Sequence, residues 1–196
     1  MNKVVLFLVD GMRPDGLQQA RTPVMDKLMQ SGACTLTAQT VMPSVTLPCH
    51  MSLFHSVLPE RHGVTTNIYT PQVRPVPGLF EVIHLAGLKA VMFHSWDELR
   101  DIARPGSIHT SFYLKDSQDP EGSGETSLTD LTVQWFSRND FDFAYVYLGF
   151  TDNVGHAYGW MSERYLQAIE HADTCIGRVL ESLPANTTIL VTSDHG

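Results

Sequence analysis

The sequence predicts an α/β fold in which a mostly parallel central sheet carries helices on both faces. Three observations support this prediction. Short and fully apolar runs, such as residues 4–9, are typical of strands that are buried on both faces of a parallel sheet. These runs alternate with longer segments whose apolar residues recur at helical spacing. The 196 residues show no repeat and no linker, so we expect a single domain over 1–196.

Five segments are predicted to form the strands of this sheet. The first is a short apolar run that ends where Asp10 and Gly11 favour a turn. The second is broken by Pro43, and the fourth is again almost entirely apolar. The predicted strands cover residues 4–9, 35–41, 89–94, 141–148 and 187–192.

Helices are predicted between these strands. Thr22 and Pro23 suit the N-cap and the first position of one helix, which Gly32 ends. The longest predicted helix, 162–183, has a continuous apolar face. Residues 117–127 are polar and rich in glycine, so we expect a surface loop there. The predicted helices cover residues 23–31, 47–57, 78–86, 96–103, 127–137 and 162–183.

Composition excludes several classes of protein. The net charge of −8 provides no basic surplus with which to bind a nucleic acid polymer. Three cysteines are too few for a disulfide framework and fit a reducing compartment. No segment approaches the roughly 20 apolar residues of a membrane span, and the first apolar run is shorter than the core of a signal peptide. We therefore expect a cytoplasmic protein that binds neither nucleic acid polymers nor membranes.

An aspartate follows each of three predicted strands at the same edge of the sheet. Asp10 follows the first strand, Asp152 the fourth and Asp194 the last, while His156 and His195 lie close by. Ligands of open α/β sheets bind at this carboxyl edge. Carboxylates and imidazoles suit Zn²⁺ and similar divalent ions. Because one ion could not easily use five groups from three strands, the sequence predicts two metals, an arrangement suited to phosphoryl transfer.

The candidate nucleophile is Thr46, which lies just before a predicted helix. A hydroxyl at the start of a helix is surrounded by free N–H donors and the positive end of the helix dipole, both of which favour an anionic phosphate. Coordination to a metal would also lower the pKa of the hydroxyl. Ser44 is the competing hydroxyl in the same segment.

Several stretches together resemble the nucleotide pyrophosphatase/phosphodiesterase branch of the alkaline phosphatase superfamily, in the order that this family has them. The Asp-His-Gly stretch ends the chain, and the other stretches precede it over nearly its whole length. The matching stretches are residues 8–11, 43–50, 58–63, 147–156 and 192–196.

This resemblance implies an alkaline phosphatase-like fold, two zinc ions, a covalent phospho-threonine intermediate and a small phosphoester or nucleotide as substrate. It also implies a division of roles between the two ions. The implied ligands are Asp10, Thr46, Asp194 and His195 for one ion, and Asp152 and His156 for the other.

The sequence departs from the family pattern in two places. Cys49 stands where the family usually has Asn. The family also takes a further histidine ligand for the second metal from a segment beyond the Asp-His-Gly stretch, so we expect a C-terminally truncated domain whose second metal lacks one ligand. We interpret three further residues as structural, namely His50, His62 and Trp160. Contact with the substrate is the alternative role for each of them.

The sequence therefore predicts a metal-dependent phosphodiesterase or nucleotide pyrophosphatase. Two alternatives remain open. A phosphatase, phosphonate hydrolase or phosphomutase of the same superfamily would use a similar site. The chain could instead be a truncated fragment that binds one metal well and catalyses little.

Overall fold

The computed structural model describes residues 2–115, 119 and 121–196. Its strands are β1 (Lys3–Val9), β2 (Ala90–His94), β3 (Thr110–Tyr113), β4 (Phe143–Leu148) and β5 (Thr187–Thr192). Within the described residues these strands form one sheet in the order β3-β2-β4-β1-β5, and every neighbouring pair is parallel. The apolar strands β1 and β4 lie side by side and are buried. The α/β prediction is confirmed.

Helices cover both faces of the sheet. They are α1 (Pro14–Gln19), α2 (Pro23–Ser31), α3 (Thr46–His55), α4 (Pro59–His62), α5 (Leu79–Leu85), α6 (Ser123–Phe136), α7 (Phe150–Tyr158) and α8 (Glu163–Glu181). A 3-10 helix, Asp97–Asp101, lies where a short helix was predicted over 96–103. Among the helices of the described residues, none has the length and apolar composition that a membrane span requires.

Successive residues of β1 point to opposite faces of the sheet, and each face has its own hydrophobic core. Val5 and Phe7 pack in one core with residues of α6 and α8, including Leu128, Ile169 and Ile176. Leu6 and Leu8 pack in the other with residues of α3 and α5, including Met51 and Phe80. Each fully buried side chain of this kind contributes roughly 1.5–3 kcal/mol of transfer free energy. The two cores fix the sheet between two helical layers.

The start of α2 is capped by a residue that the sequence did not indicate. Thr22 occupies the N-cap position, but its side chain accepts no hydrogen bond from the helix. Asp173 of α8 does so instead, because its carboxylate accepts from the main-chain N–H groups of Val24 (3.2 Å) and Met25 (2.7 Å). The predicted N-cap position of Thr22 is therefore confirmed, but the N–H groups of the first turn are capped by a tertiary contact.

The strand predicted over 35–41 is wrong. This segment is irregular and mostly exposed. Thr35 forms a local alternative to strand pairing, because its hydroxyl accepts from the N–H of Thr37 at 3.3 Å. Alternating Thr residues favour a strand by propensity, but none of the strands in the described part of the chain pairs with the segment.

Elements were also missed where the apolar pattern is weak. The short edge strand β3 alternates between half-buried and exposed residues. The helix α7 starts after Gly149 and contains Gly155. The loop predicted over 117–127 is wrong from residue 123 onward, because α6 already starts at Ser123. Residues 117, 118 and 120 of that prediction lie outside the described residues.

Candidate active site

The three predicted aspartates lie together at the carboxyl edge of the sheet. β1 lies between β4 and β5, so the residues that follow these strands meet at one place. Asp10 directly follows β1, Asp194 follows β5, and Asp152 lies in the first turn of α7, which follows β4. Asp10 and Asp194 are buried, with relative exposures of 1% and 4%.

His195 lies at the centre of this acidic group. Its Nε2 atom is 3.3 Å from Asp10 Oδ1, 3.6 Å from Asp194 Oδ2 and 4.0 Å from Asp152 Oδ1. Ligand atoms of Asp10, Asp194 and His195 all lie within 4.8 Å of one another. This spacing suits the coordination of one divalent ion by the three side chains.

Asp152 and His156 form a second pair on α7. They are one helical turn apart, and His156 Nε2 lies 3.5 Å from Asp152 Oδ2. The side chain of His156 is 72% exposed, whereas that of Asp152 is 14% exposed. Asp152 is the member of this pair that lies beside His195 of the first group. The pair itself contributes only two ligand side chains.

The carboxylates carry an electrostatic cost that a cation would relieve. Asp10 Oδ1, Asp152 Oδ1 and Asp194 Oδ2 are buried and accept no well-formed hydrogen bond from the described residues. Burial, followed by the charges of Asp194 and Asp152, holds the pKa of Asp10 well above its ordinary value. Burial also raises the pKa of Asp152. Unpaired buried oxygen atoms that converge in this way fit divalent metals.

Asp194 behaves differently because it has a histidine partner. Burial alone would raise its pKa, but His50, whose Nδ1 lies 3.4 Å from Asp194 Oδ2, His195 and the N–H of Gly11 together outweigh burial, and the pKa is lowered. The N–H of Gly11 also donates to Asp194 Oδ1 at 3.2 Å. Asp194 is therefore held as a carboxylate.

Thr46 is the first residue of α3, and its side chain reaches the same group. Its Oγ1 lies 3.2 Å from His195 Nε2. Thr46 is buried, whereas the competing Ser44 is exposed. All six residues predicted for the site (Asp10, Thr46, Asp152, His156, Asp194 and His195) thus lie in one region.

His50 lies behind Thr46 and is fully buried. Its Nδ1 lies 2.8 Å from the main-chain carbonyl of Thr46, which can only accept, so Nδ1 carries the proton. In the neutral ring Nε2 then accepts from Tyr145 Oη at 2.8 Å. His50 therefore holds the start of α3 and does not face a substrate. His62 is likewise buried, between Ser52 and the N–H of Val64.

Two polar residues near the site were missed by the sequence analysis. The hydroxyl of Tyr147 donates to Asp10 Oδ2 at 2.5 Å. Asn67 Oδ1 accepts from the N–H of Leu47, the second residue of α3, at 2.9 Å. Nothing in the local sequence signals either contact, since each depends on residues that are far apart in the chain. In the parallel register Tyr147 pairs with Leu8, two residues before Asp10, on a strand far away in the chain.

Trp160 and Cys49 lie at the margin of the site. The ring of Trp160 meets that of His156 edge-on, with centroids 5.5 Å apart, and the side chain is 36% exposed. Cys49 is buried, and burial raises the pKa of its thiol. Burial of Cys49 therefore disfavours the thiolate, which is the reactive form.

Comparison with known proteins agrees with this geometry. The family profile described as type I phosphodiesterase / nucleotide pyrophosphatase matches residues 4–196. Human ectonucleotide pyrophosphatase/phosphodiesterase family member 7 is 26% identical over 227 residues, which cover 100% of this chain and 48% of that protein. The chain thus spans about half the length of the curated relatives it matches.

Solved structures share the fold. Murine ectonucleotide pyrophosphatase/phosphodiesterase 5 in complex with AMP superposes with a TM-score of 0.81 at 20% identity, covering 100% of this chain and 57% of that chain. Phosphonoacetate hydrolase from Sinorhizobium meliloti superposes with a TM-score of 0.73 at 20% identity, covering 100% and 56%. The chain therefore belongs to the type I phosphodiesterase/nucleotide pyrophosphatase family, a family of hydrolases with an alkaline phosphatase-like α/β fold.

Proposed function

We propose that the protein is a metal-dependent phosphoester hydrolase of the phosphodiesterase or nucleotide pyrophosphatase type, with Thr46 as its nucleophile. The observation that carries the proposal is the position of the Thr46 hydroxyl, 3.2 Å from His195 Nε2 at the centre of three aspartates. The N-cap residue of α3 is Val45, and no side chain caps this helix start, so Thr46 does not serve as a cap, whereas a metal-dependent nucleophile needs this placement.

The residues of the site divide into two sets of metal ligands, as the resemblance implied. Asp10, Asp194 and His195, together with Thr46, would hold one ion, and Asp152 and His156 would hold the other. Mixed oxygen and nitrogen ligands are those that Zn²⁺ accepts. Bound ions would neutralise the carboxylates and stabilise negative charge on the phosphoryl oxygens.

The residues of this chain supply the nucleophile and orient it. Thr46 Oγ1 loses its proton to water and forms a bond to phosphorus, the bond from phosphorus to the leaving alcohol of a phosphodiester breaks, and that alcohol takes up a proton from water. Water then hydrolyses the phospho-threonine. The hydrogen bond from His50 to the carbonyl of Thr46 keeps the hydroxyl in place.

Asn67 is placed to bind the phosphoryl group. Its Oδ1 atom is occupied by the N–H of Leu47, so its amide N–H₂ group remains to donate to a phosphate oxygen at the start of α3. The positive end of the α3 dipole acts in the same direction. We further propose a nucleotide as substrate, with AMP bound in a structural neighbour as the supporting observation, and Trp160 as a stacking surface.

The test of the nucleophile is the hydrolysis of a chromogenic phosphodiester in the presence of zinc. Thr46→Ala should lower kcat by at least roughly 1,000-fold, because it removes the attacking atom. Thr46→Ser should retain part of the activity. Ser44→Ala is the matched control and should leave the rate unchanged, since Ser44 is exposed. Full activity of Thr46→Ala would contradict the assignment. A panel of phosphomonoesters and phosphonates separates the phosphatase, phosphomutase and phosphonate hydrolase alternatives.

We also propose a reducing, cytoplasmic location on the basis of cysteine use. Cys34, Cys49 and Cys175 are all free thiols, and Cys34 is exposed. An exposed thiol is at risk of oxidation outside a reducing compartment. Subcellular fractionation of the native host tests this proposal, and recovery of the protein from the extracellular medium would refute it.

A further inference from the structure

A second group of metal-binding side chains lies between α6 and α8, away from the catalytic aspartates. Glu125 of α6 and Cys175 of α8 are each 2% exposed. His171 lies one helical turn before Cys175, so that both project from the same face of α8, and its side chain is 25% exposed. A carboxylate, an imidazole and a thiol thus converge from two helices.

The distances between the ligand atoms match those of a coordinated ion. Cys175 Sγ lies 3.5 Å from His171 Nε2, and Glu125 Oε1 lies 3.9 Å from the same nitrogen. Ligand atoms of all three residues lie within 4.8 Å of one another. Ligands of a tetrahedral zinc ion are separated by about 3.3–3.8 Å, as follows from bond lengths of about 2.0–2.3 Å. Small side-chain movements would complete this geometry.

We propose that Glu125, His171 and Cys175 form a further binding site for a divalent ion of the zinc type. The donor set supports this choice, because thiolate and imidazole ligands select zinc over magnesium or calcium. The charges also balance, since one carboxylate and one thiolate neutralise a divalent ion in a buried place.

The protonation of the ligands is compatible with binding. Burial lowers the pKa of His171, so the ring is neutral and offers a lone pair at neutral pH. Burial raises the pKa of the Cys175 thiol to about 12, so binding of a metal must displace its proton.

The site has a path for entry and room for a fourth ligand. A cavity of about 160 Å³ adjoins it, lined in part by Glu121, Phe150 and His171. Gly122 leaves the imidazole accessible, because a Cβ atom at this position would lie 3.2 Å from His171 Nε2. A water molecule in this cavity could supply the fourth ligand.

An ion at this site would be connected to the catalytic residues. The carboxylate of Glu125 also accepts from the N–H of Phe150 at 3.0 Å. Phe150 is the first residue of α7, the helix that carries Asp152 and His156. The ion would therefore link α6 and α8 and fix the start of α7.

The test is a titration of the metal-free protein with Co²⁺, followed by absorption spectroscopy. Cobalt bound to a thiolate gives a near-ultraviolet charge-transfer band, whereas cobalt bound to aspartates and histidines gives none. We expect this band in the wild-type protein and its displacement by one equivalent of Zn²⁺. Cys175→Ser should abolish the band, and His171→Gln should weaken cobalt binding at this site about tenfold or more.

The controls separate this site from the catalytic one. Cys34→Ser and Cys49→Ser should keep the band. The double variant Asp10→Asn, Asp194→Asn should keep it as well, because it removes only catalytic ligands. If Cys175→Ser fails to fold, the variant His171→Gln provides the test, because the side chain of His171 is partly exposed. Cobalt binding without a thiolate band in the wild type, or a band that persists in Cys175→Ser, would overturn the inference and leave the proposed function untouched.

Discussion

Single hydrogen bonds orient the side chains of the proposed catalytic site. Tyr147 donates to Asp10 Oδ2, and Tyr145 donates to His50, which in turn holds the carbonyl of Thr46. The two tyrosines lie on the same strand, two residues apart, and face the same side of the sheet. One therefore supports a predicted metal ligand, and the other supports the proposed nucleophile.

Tyr147→Phe tests the first of these contacts. Loss of the hydroxyl removes a hydrogen bond that orients Asp10, so we expect zinc affinity to fall by about tenfold or more. Competition with a chelator measures this affinity. Tyr145→Phe is the matched comparison: it should lower kcat through Thr46 and change zinc affinity much less. Equal zinc affinity in Tyr147→Phe and the wild type would contradict the assigned role.

A single buried histidine, His94, makes the free energy of unfolding depend on pH. Burial lowers the pKa of His94, which is 5% exposed and bonded through Nδ1 to the carbonyl of Trp96. The unfolded chain then binds the proton more tightly than the folded one. The contribution of His94 to the free energy of unfolding is therefore present above the unfolded pKa of about 6.5 and is lost as the pH falls below it.

Urea unfolding at several pH values between neutral and mildly acidic measures this effect. Other buried groups titrate too, and the raised pKa values of Asp10 and Asp152 act in the opposite direction in metal-free protein. The informative quantity is thus the difference between wild type and His94→Gln, which should show a smaller loss of stability on acidification. Parallel pH profiles for the two proteins would refute the prediction.

At the scale of elements, the strands with continuous apolar sequence were predictable and the elements without it were not. β1, β4 and β5 follow from local pattern, whereas the false strand 35–41 had the right residue types but no partner strand. α7, which carries Asp152 and His156, was not among the predicted helices, because Gly155 weakens the helical signal.

The six candidate site residues were accessible to sequence reasoning because all lie in ordered motifs and all except Thr46 follow strand ends. The supporting contacts were not. Tyr147 and Asn67 act through partners 137 and 20 residues away, and such pairings exist only after folding. Thr22 occupies the N-cap position as its sequence context indicates, but the carboxylate that accepts from the first N–H groups of α2 belongs to Asp173.

Gly155 makes α7 sensitive to a small change. Alanine in place of glycine usually stabilises a helix by up to about 1 kcal/mol. Here a Cβ atom would lie 2.4 Å from Cζ3 of Trp160, so Gly155→Ala must displace the indole. We expect a loss of roughly 1–3 kcal/mol in the free energy of unfolding.

The double variant Gly155→Ala, Trp160→Ala identifies the cause. Removal of the indole should relieve the clash, so the alanine at position 155 should no longer destabilise in that background. Urea unfolding of the two single variants and the double variant gives the coupling energy. Additive effects would show that the clash with Trp160 is not the reason.

For the whole molecule, the two halves of the metal site differ in completeness. Asp10, Asp194 and His195 come from two adjacent strand ends and enclose a position with little exposure. Asp152 and His156 provide two ligands from one helix, and His156 is largely exposed. Structural and catalytic zinc sites use three or four protein ligands, so two should bind weakly.

We therefore expect one tightly bound and one weakly bound zinc ion in the catalytic site. Calorimetry on Cys175→Ser measures this without a contribution from the proposed thiolate site. Asp152→Asn should abolish the weak step and leave the tight one nearly unchanged, while Asp194→Asn should weaken the tight step strongly. Two tight ions in Cys175→Ser would show that Asp152 and His156 suffice as protein ligands. That result would rule out the alternative of a metal-deficient site, because both ions of the proposed site would then be held by residues 1–196.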